Sequence, residues 1–550
     1  MTLQPIAHAK TLAELLLERL TRGGEALALH ESRADGTYIT RNWSELRDDV
    51  AAMVCVLQDL NVAPGACVAQ LSENRYEWVL VDFACLLLQA VHVPLHASLS
   101  GWQAVEQITH SGAQLVFAST EAQAAKLAQV KERWPSGVRF ISHEPCSGLL
   151  GDDWQGQTDQ LLRSVAGSRA REAFPPRRTI DESTLATILY TSGTTGQPKG
   201  VMLTHGNLCS NAVAATMAFG PQINEVKLGF LPLSHIFART CDLYSWLVRG
   251  GELVLSAGRD HVLAECARFQ PTVLNGVPYF FEKIYRSLCE KQLHEAPGIL
   301  QKVLGGHIRY CNSGGAALPL HVFDYYHAQG VPLLEGYGLS ETSPVITLST
   351  PDAFKRGSCG QPVTGVEVSI AADQEILTRG PHVMHGYFQM PEATQDVLAS
   401  GWLKTGDLGY LDTEGFLFIN GRKKELIVLS SGKNIAPVYL EGLLMRNPAI
   451  AQAMVVGDGH SYLVALVVPH QLADAAAGEA AVARYQRMVD DALAECSHHE
   501  QIRRITLLSQ PFSIERDELT PKLSLRRSII AQHYAAEIDA MYAADQAECD

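Results

Sequence analysis

An α/β architecture, followed by a smaller α+β domain at the C-terminal end, is what the hydrophobic patterning of this chain calls for. Three observations lead there. The chain has 550 residues, too long for one hydrophobic core, so two or more domains are expected. Short apolar runs alternate with helix-period stretches over the first two thirds, the pattern of mainly parallel sheets. The character then changes twice, near residues 368 and 421.

The alternation can be followed in order. A strand at 66–71 precedes a helix at 77–90, and a strand at 114–117 precedes a helix at 121–134. The apolar window 78–95 contains Asp82, Gln89 and His92, so it reads as a buried helix running into a strand and not as a membrane span. An apolar run at 185–189 reads as a buried strand. Strands at 228–232, 252–255, 272–275 and 308–311 continue the series. Between 368 and 420, short segments are punctuated by Asp373-Gln374, Arg379-Gly380-Pro381 and Thr413-Glu414-Gly415, which suggests a β-rich subdomain. After Gly421, strands at 427–429, 453–456 and 463–468 mix with helices at 438–446 and 481–496. That is a separate α+β lobe of roughly 130 residues.

Composition narrows the function classes. Hydrophobic residues make up 47% and charged residues 19%, values that suit a globular soluble enzyme and not a disordered chain. The formal net charge of -15 disfavours nucleic acid as a partner, because a phosphate backbone needs a positive surface. The twelve cysteines are scattered without a C-x-x-C pair, so free thiols in a reducing cytosol are expected. His498-His499 lacks companion ligands and reads as a solvated helix end. No signal peptide is evident at the N-terminus. Peripheral membrane contact and oligomeric state stay open.

The most informative stretch is Tyr190-Thr191-Ser192-Gly193-Thr194-Thr195-Gly196-Gln197-Pro198-Lys199-Gly200-Val201, directly after a strand. Hydroxyls and backbone N–H groups can wrap phosphate oxygens, glycine allows close approach, and lysine neutralises charge. Gly193 and Lys199 have Walker A spacing, but Pro198 and Gly200 stand where that motif needs Gly and Ser or Thr. This is a phosphate loop of another kind.

Five further segments carry chemistry. Leu231-Pro232-Leu233-Ser234-His235-Ile236-Phe237-Ala238-Arg239 places a histidine and an aromatic after a strand. Glu335-Gly336-Tyr337-Gly338-Leu339-Ser340-Glu341-Thr342 joins an aromatic face suited to a base with a carboxylate suited to Mg2+. Gly401-Trp402-Leu403-Lys404-Thr405-Gly406-Asp407-Leu408 offers Asp407, since a fixed carboxylate can accept both hydroxyls of a ribose. Gly421-Arg422-Lys423-Lys424-Glu425-Leu426-Ile427 opens the last lobe with three cations. Leu519-Thr520-Pro521-Lys522-Leu523-Ser524-Leu525-Arg526-Arg527 brings a lysine near the C-terminus. Taken singly, each segment also fits a capped turn or a solvated face.

In this order and spacing, the set resembles the adenylate-forming (AMP-binding) superfamily over nearly the whole chain, and within it the long-chain fatty acyl-CoA synthetases. Ser72-Glu73-Asn74-Arg75-Tyr76-Glu77-Trp78 and Gly380-Pro381-His382-Val383-Met384-His385-Gly386-Tyr387 add to the likeness. The resemblance implies a large N-terminal domain, residues 1–422, of layered α/β subdomains plus the β-rich subdomain. It also implies a small mobile α+β domain, residues 423–550. It implies a two-step reaction with ATP, Mg2+, CoA and a fatty acid: acyl-AMP and pyrophosphate form, the small domain rotates, and CoA takes the acyl group.

Residue roles follow from the same likeness. Thr191, Ser192, Gly193, Thr194, Thr195, Gly196 and Lys199 would hold the β- and γ-phosphates. Tyr337, between Gly336 and Gly338 and after Glu335, would stack on adenine beside Ser313, Gly314, Gly315 and Ala316. Ser340 would touch the α-phosphate, Glu341 would hold the metal, and Asp407 with Arg422 would bind the ribose. His235 would lie where acyl and nucleotide sites meet, Lys424 at the hinge, and Ser431-Gly432-Lys433 along the pantetheine route. One departure stands out. The lysine expected at position 524 is Ser524, and Lys522 lies two places earlier, on the same face of an extended segment. The rival readings are an acyl-AMP ligase serving a carrier protein and a catalytically weak sensor. No extra insertion separates Glu341 from Gly421, which favours CoA.

Overall fold

The computed structural model describes residues 3–146, 148–165, 167, 174, 180–191, 198–221, 224–513, 515–519 and 525–546. It is a mixed α/β molecule with a large N-terminal portion and a smaller C-terminal one. Two extended sheets form the N-terminal portion. The first has eight strands in the order Gly386–Tyr387, Lys199–Thr204, Leu185–Thr191, Val91–Leu95, Cys67–Leu71, Leu115–Ala118, Arg139–Ser142, Trp154–Gln157. Its pairs are parallel from Leu185–Thr191 onward, and Lys199–Thr204 returns antiparallel along Leu185–Thr191.

The second sheet has nine strands, in the order Gln361–Pro362, Val345–Leu348, Leu333–Gly338, Tyr310–Ser313, Val273–Gly276, Val226–Gly229, Glu252–Leu255, Leu27–Ser32, Tyr38–Asn42. Its six central strands are parallel. Loops carrying His235, Gly314 and Glu341 leave the same carboxyl edge, where open α/β sheets bind ligands.

One continuous apolar cluster joins both sheets to the helices Leu12–Gly23, Trp43–Asp59, Tyr76–Leu88 and His205–Met217. Tyr76–Leu88 is buried from Trp78 to Leu88 and apolar there except for Asp82, because it lies inside this core, and Gln89 ends it in the left-handed region. Trp43 stacks on Trp246 with ring centroids 4.5 Å apart. A second cluster covers the other face of the first sheet beneath Gly101–Ser111 and Glu121–Ala128. The early strands Leu27–Ser32 and Tyr38–Asn42 were not expected. They form a local hairpin around Asp35-Gly36, a turn signal the pattern reading passed over, and Leu27–Ser32 pairs with distant Glu252–Leu255 to close the far edge of the second sheet.

The β-rich subdomain is an antiparallel sheet of Glu367–Ile370, Glu375–Arg379, Trp402–Leu411, Leu398–Ala399 and Leu417–Arg422. The C-terminal portion has a three-stranded sheet, Ile450–Val456, Leu463–Pro469 and Ile502–Leu507, and a hairpin of Ile427–Val428 with Asn434–Ile435. Along Leu463–Pro469 the side chains alternate between two separate clusters, one per face, as the period of a strand requires. Among the described residues no helix is long and apolar enough to cross a membrane.

Candidate active site

The hydroxyl- and glycine-rich stretch is flanked by a tight antiparallel pair in which Thr191 faces Lys199. Ser192, Gly193, Thr194, Thr195 and Gly196 lie outside the described residues, as do Lys522 and Ser524. The two flanking strands are described. A Cβ on Gly200 would lie 2.8 Å from Ile188 Cγ2, so glycine is needed for the return strand to pass. The Gly200 carbonyl accepts the Phe388 N–H at 2.7 Å, and His385 N–H reaches Met202 O at 3.0 Å. These bonds seat Gly386–Tyr387 on the edge of the first sheet.

That seating sets up the first cluster. The Lys199 ammonium lies 4.7 Å from the Tyr387 ring centroid, a cation–π contact. The same tyrosine donates its hydroxyl to Glu341 Oε1 at 2.8 Å. Glu341 stands on the short turn Ser340–Thr342, whose backbone is held by Met384 N–H to Glu341 O at 2.8 Å. Buried Thr342 closes the turn through its hydroxyl, accepting Leu339 N–H at 2.9 Å. Lysine and carboxylate, 142 positions apart in the chain, are thus joined through one ring.

The second cluster surrounds Tyr337. Its hydroxyl donates to Asp407 Oδ2 at 2.7 Å, and Arg422 Nε lies 3.1 Å from Asp407 Oδ1. Asp407 and Arg422 are register partners on neighbouring antiparallel strands, so both point to one side. Asp407 is buried, and burial raises its pKa, opposed by Arg422 and the Tyr337 hydroxyl. Gly338 is demanded by packing: a Cβ there would sit 1.6 Å from Pro344 O. Gly336 and Gly338 flank the tyrosine on Leu333–Gly338, the last parallel strand.

Glu335 faces inward. Its carboxylate accepts Leu318 N–H at 3.2 Å and the Cys359 thiol at 3.2 Å, and burial pushes its pKa up to about 7. It supports the exposed turn Gly315, Ala316 and Ala317 from below. Gly314 lies against the Phe237 ring and Gly315 has φ of +82°. Ser313 is buried and paired in register with Glu335.

His235 caps the short helix Ile236–Ala238, its Nδ1 accepting Phe237 N–H at 3.3 Å. Lys423 is tied to Asp373 at 2.6 Å and to Glu375 at 2.8 Å, which anchors the residue before Lys424 to the β-rich sheet. Lys424 itself is exposed on the turn Lys423–Glu425. Gly432 has φ of +78° at the tip of the hairpin that opens the C-terminal portion.

The geometry therefore gathers Lys199 with Glu341, and Tyr337 with Asp407 and Arg422. Comparisons with known proteins place the chain in a family. The family model described as "AMP-binding enzyme" matches residues 17–388. The chain belongs to the AMP-binding enzyme family. A second model, "AMP-binding enzyme C-terminal domain", matches residues 424–546. The long-chain-fatty-acid–CoA ligase FadD15 of Mycobacterium tuberculosis is 32% identical, with 94% of each chain covered. The peroxisomal long chain acyl-CoA synthetase 7 of Arabidopsis thaliana is 30% identical, covering 93% of this chain and 83% of that one. Among solved structures, the o-succinylbenzoate CoA synthetase of Bacillus subtilis in complex with ATP and magnesium superposes with a TM-score of 0.72 at 28% identity. It covers 90% of this chain and 96% of its own. The anthranilate CoA ligase AuaEII has the same fold, with a TM-score of 0.80 at 20% identity over 96% and 98% of the two chains.

Within this AMP-binding enzyme, sequence reasoning missed Tyr387 as a site residue. Its signal was present in Gly386-Tyr387, but nothing local shows that a tyrosine there reaches Glu341. The pair His498-His499 lies in the short turn His498–Glu500, which Ser497 caps, and among the described residues no group of three or more metal-ligating side chains gathers anywhere.

Proposed function

We propose that this chain activates a medium- to long-chain fatty acid with ATP, forming acyl-AMP and pyrophosphate, and then transfers the acyl group to CoA. The observation that carries the reading is the Lys199–Tyr387–Glu341 cluster beside the Tyr337–Asp407–Arg422 cluster. One has the charges for a metal-bound triphosphate, and the other has the ring and carboxylate for a nucleoside. The names of the fatty-acyl ligase relatives support the substrate class.

The chemistry asked of the protein is positioning and charge neutralisation. Lys199 and the loop after Thr191 bind the β- and γ-phosphates. Tyr337 stacks on adenine beside Ser313 and Gly314, and Asp407 with Arg422 holds the ribose. Ser340 lies toward the α-phosphate. His235 stands between the acid and the nucleotide, and Lys522 brings the carboxylate and phosphate together. Magnesium, when bound, offsets phosphate charge. The single carboxylate of Glu341 fits it, because Mg2+ takes one or two protein carboxylates and fills its shell with phosphate oxygens and water.

We place the domain boundary between residues 422 and 423, with Lys424 as the hinge and the Gly432 turn serving the CoA step. The second family match, beginning at residue 424, supports this division. Free thiols among the described cysteines fit a reducing, cytoplasmic setting.

The test is pyrophosphate release with ATP, Mg2+ and CoA across acids from acetate to C18, with aromatic acids included. Turnover peaking on fatty acids is expected. ATP binding without turnover on any acid would overturn the reading.

A further inference from the structure

The stretch Ser72 to Trp78 has no part in the functions assigned above, yet the structure gives it a definite task. It follows Cys67–Leu71 of the first sheet and runs into the first turn of the buried helix Tyr76–Leu88. From there Asn74 reaches across to the second sheet's loop. Asn74 Nδ2 donates to Leu231 O at 2.7 Å, and its Oδ1 accepts Leu233 N–H at 2.8 Å. An asparagine amide presents one donor face and one acceptor face, so it pairs with residues i and i+2 of an extended chain as a neighbouring strand would. Aspartate has no donor for Leu231 O, and alanine has neither group.

The same helix holds the other end of this segment. Asp82 is buried and pairs with Arg239, while Tyr244 donates its hydroxyl to Asp82 Oδ2 at 3.0 Å. Arg239 and Tyr244 are the two ends of a π-helical turn, Arg239–Tyr244, a wide turn often found beside functional sites. Arg239 Nη1 also donates to Thr187 Oγ1 at 2.8 Å. His235 lies between the two anchors. Its N–H bonds to Pro232 O at 2.9 Å, and its carbonyl accepts Arg239 N–H at 3.1 Å. Backbone bonds thus run from the Asn74 clasp through His235 to the Asp82–Arg239 pair.

We propose that Asn74 is a positioning residue for His235, holding the 231–239 segment of one sheet against the other so that the acid side of the site keeps its geometry. The inference rests on the reading of function above for the role of His235. Asn74 is only half-buried, so it can be altered with less harm to folding than Asp82, whose loss would strand the Arg239 charge in the core.

The experiment compares wild type with Asn74→Ala and Asn74→Asp by hydrogen exchange and by steady-state kinetics. Exchange across residues 231–239 should quicken by about tenfold in both variants, with protection elsewhere unchanged. The kcat/KM for the acid should fall by roughly ten- to a hundredfold, while the KM for ATP stays within about twofold. Unchanged exchange at 231–239 would overturn the clasp. So would a rise in both KM values that merely tracks a lower Tm. A wild-type protein with no turnover on any acid would count against the proposed function, and the exchange comparison would still decide the clasp.

Discussion

The Tyr337 hydroxyl donates to Asp407 Oδ2 at 2.7 Å, bonding the last parallel strand of the second sheet to the β-rich sheet. The bond places a ring and a carboxylate side by side at the junction of two layers. Asp407→Asn keeps the shape and removes the charge. The KM for ATP is expected to rise about tenfold or more, since a charge-assisted bond is lost. Thermal unfolding should move little, because the Arg422 side chain is 53% exposed and is not left as a buried cation. An unaltered KM for ATP would show that Asp407 serves the layers alone.

Tyr387→Phe separates the two contacts of that ring. The face under Lys199 remains, and the hydroxyl to Glu341 is lost. Adenylation should need several-fold more Mg2+ for half-maximal rate, with a drop in kcat of about tenfold. Lys199→Ala should cost about a hundredfold, because phosphate charge is then uncompensated. A Mg2+ titration of pyrophosphate release reads both.

Lys522→Ala should lower acyl-AMP formation sharply, by about a hundredfold, while sparing thioester formation from supplied acyl-AMP. Equal loss in both half-reactions would count against Lys522 as the substitute for the lysine expected at Ser524.

Glu335 predicts a pH dependence of stability. Its carboxyl ionises in the usual carboxylate range when unfolded and near a pKa of about 7 when buried. Between those values the folded protein holds more protons than the unfolded chain, so this group makes stability fall as pH rises through that window. Glu335→Gln removes the titration while an amide oxygen still accepts Leu318 N–H. Relative to the variant, wild type should lose Tm between about pH 5 and pH 7 and stay lower above it. Parallel curves would place the carboxylate charge in a better-solvated setting than its burial implies.

Much of the fold was legible in local pattern. Glu252–Leu255 was delimited to the residue, and Tyr76–Leu88, Val273–Gly276 and Leu463–Pro469 within two residues. The misses have physical causes. The predicted strand at 228–232 ends at Gly229, because the Leu231 and Leu233 backbone groups go to Asn74 and not to a strand partner. The helix expected to reach Trp134 stops at Ala128 and resumes as the single turn Lys131–Arg133. Apolar periodicity alone cannot mark such a break.

Residue types in order were enough to determine the family and the chemistry on offer: hydroxyls, glycine and Lys199 after a strand, Tyr337 between glycines, Glu341, Asp407 and cations from Arg422. Each short motif is a local arrangement, and local arrangements are written in neighbouring residues. Tertiary structure decided which side chains meet. Lys199 reaches Glu341 only through Tyr387, Tyr337 meets Asp407 only across two sheets, and Asn74 clasps Leu231 and Leu233 from 157 and 159 positions away. Contacts at such separations depend on how whole layers dock, and burial of apolar surface drives that docking without naming its polar partners.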